Sequence, residues 1–132
     1  MLSHVTLGCN DFEAALAFWS PVLAALGARL RFVDRDRPWA GWEPPGGGRP
    51  LFIVTAPIDG APALPGNGTM TAFETADRAS VDAVHALALS LGGTCEGPPG
   101  LRPAYHPAYY GAYFRDPSGN KVALACHRPQ SG

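Results

Sequence analysis

The chain has 132 residues, a formal net charge of −1, and hydrophobic residues at 46%. Its 16 glycines and 14 prolines are nearly a quarter of the chain, which excludes coiled coils and long helices. The high hydrophobic share with little net charge excludes a disordered chain, and the absence of a basic patch argues against nucleic-acid binding.

Residues 2–8 alternate, with Val5 and Leu7 on one face and His4 and Thr6 on the other, which predicts a half-buried strand. Asn10, with Glu13 three residues on, predicts a capped helix start. Phe12, Leu16, Trp19, Leu23 and Leu26 recur at helical spacing. Pro21 is expected to kink or split that helix and Gly27 to end it. Residues 28–35 alternate again, 38–43 read as a short aromatic strand, PPGGG at 44–48 as a turn, and 51–55 as a strongly β-prone run.

A loop rich in glycine and proline over 56–68 divides the chain, and the same order restarts. Residues 69–75 predict a strand, and Asp77 caps a helix over 78–91 whose stripe is Val81, Val84, Ala88 and Leu91. Residues 94–96 predict a short strand, 97–107 a proline-rich loop, 109–115 a strand, 116–120 a turn and 121–126 a last strand. The tail from Arg128 reads as polar and frayed. The architecture is α+β: two tandem βαβββ modules, about 1–60 and 66–128, within a single domain spanning 1–132. Neither copy has enough core to stand alone.

The opening LSHVTLGCNDFEAALAFWSPVLAALG and the segment YFRDPSGNKVAL together resemble the vicinal oxygen chelate superfamily, the glyoxalase / bleomycin resistance / extradiol dioxygenase group. The resemblance runs from Leu2 to about Cys126. It implies an open, U-shaped barrel around a cleft, a small organic ligand, and a homodimer with its cleft either within a chain or between swapped modules. Metal-dependent members hold a divalent ion in that cleft. At the ligand positions this chain has His4, an apolar residue within Phe52 to Val54, Met70 and Ala123, so only His4 is a competent metal ligand. No cofactor is expected, and a divalent metal would need alternative ligands.

The candidate acid/base residues are His4, Glu74 and His106. His4 shares a strand face with Thr6, Glu74 shares parity with Met70 and Ala72, and His106 precedes a strand. The densest polar-aromatic stretch is Tyr105 to Tyr113, in which Tyr109, Gly111 and Tyr113 share a face. Thr6, Trp42, Phe52, Met70, Tyr109 and Tyr113 are the candidate ligand-binding residues. Each has a plainer role beside it: a solvated strand end for Glu74, aromatic packing for the tyrosines, core packing for Trp42.

Two functions fit these residues. One is a lyase or isomerase moving protons in the cleft, and the other is a non-catalytic protein that sequesters a ligand without metal. Cys9, Cys95 and Cys126 are odd in number and lack CxxC spacing, which argues against disulfides and structural zinc. Cys95 and Cys126 read as small core residues. His85 reads as a partly buried helix residue and His127 as a frayed surface position. No secretory signal pattern and no apolar run of roughly 18 residues is present, so the expected location is the cytoplasm.

Overall fold

The computed structural model describes residues 1–130; Ser131 and Gly132, at the end of the polar tail, lie outside them. The elements follow the duplicated order: β1 (His4–Gly8), α1 (Phe12–Ala25), β2 (Arg29–Asp34), β3 (Trp39–Glu43) and β4 (Leu51–Thr55), then β5 (Thr71–Glu74), α2 (Arg78–Ser90), β6 (Thr94–Leu101), β7 (Tyr110–Arg115) and β8 (Lys121–Cys126). Each module forms one four-stranded sheet, in the orders β1-β4-β3-β2 and β5-β8-β7-β6. In both, the first strand pairs in parallel with the last and the rest are antiparallel. The sheets do not close on each other.

One hydrophobic core joins the modules. Trp19 on α1 is fully buried and lies 4.7 Å from Phe52, 6.0 Å from Phe73 and 6.3 Å from Phe114, ring centre to ring centre. Phe18 beside it reaches Phe114 at 6.0 Å. Helix α1 is therefore packed against the inner faces of both sheets. The opposite face of each sheet, which carries no helix, points away from this core.

Four expectations are corrected. Helix α1 is capped by Asp11, whose Oδ1 accepts from Ala14 N–H at 3.0 Å, not by Asn10. Asn10 instead bonds Ala63 in both directions and ties the helix start to the inter-module loop. Pro21 sits inside α1 without splitting it, because the helix is held by buried Phe18, Trp19, Val22 and Leu23 on both sides of the proline. Strand β6 runs over eight residues, not the three of the expected 94–96 strand. It is an edge strand, where prolines 98 and 99 forfeit no ladder bond, and its pairing shifts register near Gly97 and Gly100. Cys95 on that edge is exposed, whereas Cys9 and Cys126 are buried.

Candidate functional site

The helix-free face of the second sheet carries the largest concentration of candidate residues. Strand alternation and the β7–β8 and β5–β8 registers put Tyr113, Gly111, Lys121, Ala123, Ala125, Met70, Ala72 and Glu74 on this side. Its floor is small residues: Ala123 and Ala125 are buried, and Gly97 and Gly111 have no side chain to raise it. The tyrosines need those glycines. A Cβ on Gly97 would come within 2.9 Å of the Tyr113 ring, and one on Gly111 within 2.7 Å of the Tyr109 ring. The two phenol oxygens meet at 3.3 Å, and Tyr105 packs on Tyr109 at 4.9 Å between centres. Burial, with the Tyr109 hydroxyl contact, raises the Tyr113 pKa, so this phenol stays protonated. Beside these rings is a recess of about 750 Å³ lined by Tyr105, Tyr113, Arg102, Lys121, Met70 and the 65–69 loop.

His106 closes one end of the tyrosine cluster. Its Nε2 lies 2.9 Å from Nδ1 of His127, the rings are stacked at 5.2 Å, and Tyr109 packs edge-on to both. The Ala108 N–H donates to His106 Nδ1 at 3.2 Å. A neutral His106 therefore carries its proton on Nε2 and donates it to His127, whose own proton then sits on its Nε2. His127 is thus exposed but held, not a frayed end.

The remaining candidates lie elsewhere. Trp42 and Phe52, expected in the cleft, are 2% and 6% exposed and belong to the helix-side core. The cause is register: Trp42 pairs with Phe52, one residue out of step with the Gly41–Ile53 pair that faces outward. Both touch the rim of a second recess, about 640 Å³ and mostly apolar, between the modules, where Met70 and Glu74 also reach. His4 is exposed on the edge strand β1, with Nδ1 3.0 Å from Ser3 Oγ, and Thr6 is exposed on the same side. His106 bonds to His127, Glu74 lines the inter-module recess and His4 bonds to Ser3, so no contact joins these three acid/base candidates.

Among the described residues, no three His, Cys, Asp or Glu side chains are grouped so as to hold a metal ion. Three of the four positions the resemblance assigns to ligands have no donor suited to a divalent cation, and one of them, Ala123, is fully buried. The donor set does not fit a metal of that kind. This holds whichever chain supplies each position.

Sequence reading passed over Arg102 and Lys121. Their signal was present: Lys121 follows the 116–120 turn with the parity of Ala123, and Arg102 closes the proline-rich segment. The 97–107 loop and the 121–126 strand gave each of them a structural place and no ligand role.

A family model described as the Glyoxalase/Bleomycin resistance protein/Dioxygenase superfamily matches residues 1–124. A solved glyoxalase/bleomycin resistance protein from Albidiferax ferrireducens T118 is similar over 98% of this chain and 99% of its own, at 38% identity and a TM-score of 0.82. A glyoxalase/bleomycin resistance protein/dioxygenase family enzyme from Burkholderia phytofirmans PsJN aligns over 96% and 98%, at 19% identity and a TM-score of 0.70. A lactoylglutathione lyase from Agrobacterium tumefaciens aligns over 96% and 92%, at 20% identity and a TM-score of 0.67. At those last two identities the likeness is one of fold. No curated protein matches the sequence.

Proposed function

The chain belongs to the Glyoxalase/Bleomycin resistance protein/Dioxygenase superfamily, and from that premise we propose that it binds a small organic molecule without a metal ion, as a ligand-sequestering protein. The observation that carries this reading is the tyrosine face of the second module. Tyr105, Tyr109 and Tyr113 stand over a floor of glycine and alanine beside a recess of about 750 Å³. A recess of that size suits a small ligand, with rings to stack on and hydroxyls to orient it. In a homodimer, the helix-free face of one chain's first module would cover the tyrosine face of a second copy, since within a chain these faces point away from the shared core.

The test is a ligand screen on metal-stripped protein, read by the change in tyrosine and tryptophan fluorescence. Saturable binding that chelator does not alter, and that Tyr113→Ala weakens, is the expected result. Strong stabilisation by a divalent ion, lost in His4→Ala, would overturn it.

A second reading is favoured by the imidazole pair. A lyase or isomerase would use His106 and His127 to exchange a proton with a ligand lying on Tyr109. His4 and Glu74 would take no direct part. Turnover abolished by His127→Gln, with ligand affinity kept, would select this reading over simple sequestration.

A further inference from the structure

The recess beside Tyr113 carries an excess of positive charge. The whole chain is −1, yet this recess is lined by Arg102, Arg115 and Lys121 against one carboxylate, Glu96. Glu96 is already engaged: it accepts from Arg115 Nε at 2.6 Å, and Arg115 Nη1 donates to Gly119 O at 2.8 Å. That leaves Arg102 and Lys121. Arg102 Nη2 donates to Pro98 O at 2.7 Å and Nη1 to Leu101 O at 3.4 Å, contacts with neutral carbonyls that position the guanidinium without neutralising it. Among the described residues, the ion pairs are Arg29–Glu43, Arg35–Glu13 and Arg115–Glu96, and neither Arg102 nor Lys121 takes part in one. Both are half-buried. Both approach the same ring, Arg102 at 5.6 Å and Lys121 at 5.7 Å from the Tyr113 centre.

Two like charges held at one partly dehydrated ring repel each other, and only part of that cost is met by the ring's quadrupole. A bound anion would remove it. The wall between them is not polar throughout: Tyr105, Tyr113, Met70 and Pro65 give ring faces and apolar surface.

We infer that the ligand of this recess is a small organic oxyanion, a carboxylate or a phosphate monoester on a planar apolar body, with Lys121 and Arg102 holding the anionic end and Tyr105 and Tyr113 the body. This rests on the ligand-binding reading above and adds the substrate class. Arg102 supplies a planar fork and Lys121 a point charge, so together they take either oxyanion.

The test uses three probes on the full chain: benzoate, phenyl phosphate and the neutral benzamide, titrated by calorimetry at low salt. At least one of the two anions is expected to bind about tenfold or more tighter than benzamide, and the tighter anion identifies the oxyanion. Lys121→Met and Arg102→Met are each expected to weaken that anion about tenfold and to leave benzamide unchanged, while Lys121→Arg keeps most of the affinity. Added salt should weaken the anion only. Circular dichroism melts of the variants establish that they are folded. Equal binding of benzamide and the anions, or anion binding indifferent to both substitutions, overturns the inference while leaving the ligand-binding reading in place. Binding of none of the probes overturns it too. If a divalent ion then stabilises the protein through His4, the ligand-binding reading falls with it.

Discussion

Asp116 shows how much one side chain can hold. It is buried, and its two oxygens accept four hydrogen bonds: from the Ser118 and Asn120 N–H groups on Oδ1, and from Trp19 Nε1 and Asn120 Nδ2 on Oδ2. Asn120 in turn donates to Gly8 O, so this turn of the second module reaches both β1 and α1 of the first. Asp116→Ala strands four donors, and a loss of about 2–4 kcal/mol in urea unfolding is the expected result. Asp116→Asn should fall between, because its amide would face donors where a carboxylate oxygen accepts. The residue run 116–120 was readable as a turn from its proline, glycine and asparagine. Its bond to Trp19, 97 positions away, has no local signature. Cysteine chemistry is as sharply divided. Burial, then the charges of Asp116 and Asp11, push the Cys9 thiol up to about 11. Alkylation at mildly alkaline pH followed by mass spectrometry should therefore mark exposed Cys95 and spare Cys9 and Cys126 until the protein unfolds.

At the scale of elements, the strands and helices were largely legible because their cues are local. Asp77 caps α2 through Ser80 N–H at 2.7 Å, and β4 and β8 keep the expected ends. What was not legible is which way an apolar strand faces. Residues 51–54 are buried on both sides, so periodicity cannot separate Phe52, which packs on Trp19, from Leu51 and Ile53, which face outward. The same limit hid the length of β6, since proline in an edge strand looks like proline in a loop. Helix α2 carries a cost of its own. His85 is 5% exposed where the helix packs on β7, and its Nε2 has no partner. Burial lowers its pKa, outweighing the Tyr113 backbone contact and the Asp82 charge. The folded state therefore resists protonating a group that the unfolded chain protonates below about 6.5. Unfolded chains then bind more protons, so stability is full above about pH 6.5 and declines as the pH falls beneath it. Melting temperatures across that window should show the decline, and His85→Leu should reduce its slope.

At the scale of the molecule, the duplicated order reads as two similar units, but the packing does not. Trp19 and Phe18 belong to the first module, and the rings they meet include Phe73 and Phe114 of the second. A core shared in this way makes the modules conditional on each other. Cutting between them would expose the helix-side faces of both sheets at once, and either half would be left with less core than a domain of its size needs. The same arrangement explains why the candidate site was only half legible. Parity placed Tyr109, Gly111 and Tyr113 on one face, because the three alternate along a single short run of the chain. It could not say whether His4, on the other sheet, faced them, since that depends on how the modules pack. Cooperativity is the measurable consequence. Unfolding followed by far-ultraviolet circular dichroism and by tryptophan fluorescence should give coincident single transitions. Trp19→Ala, which empties the centre of the shared core, should cost about 3–5 kcal/mol and destabilise both modules together. Separate peptides for 1–60 and 66–128 should each lack a cooperative melt and regain one on mixing, if at all, only as a complex. A cooperative melt of either peptide alone, or two resolved transitions in the intact chain, would mean that the modules fold independently and that the shared core contributes little.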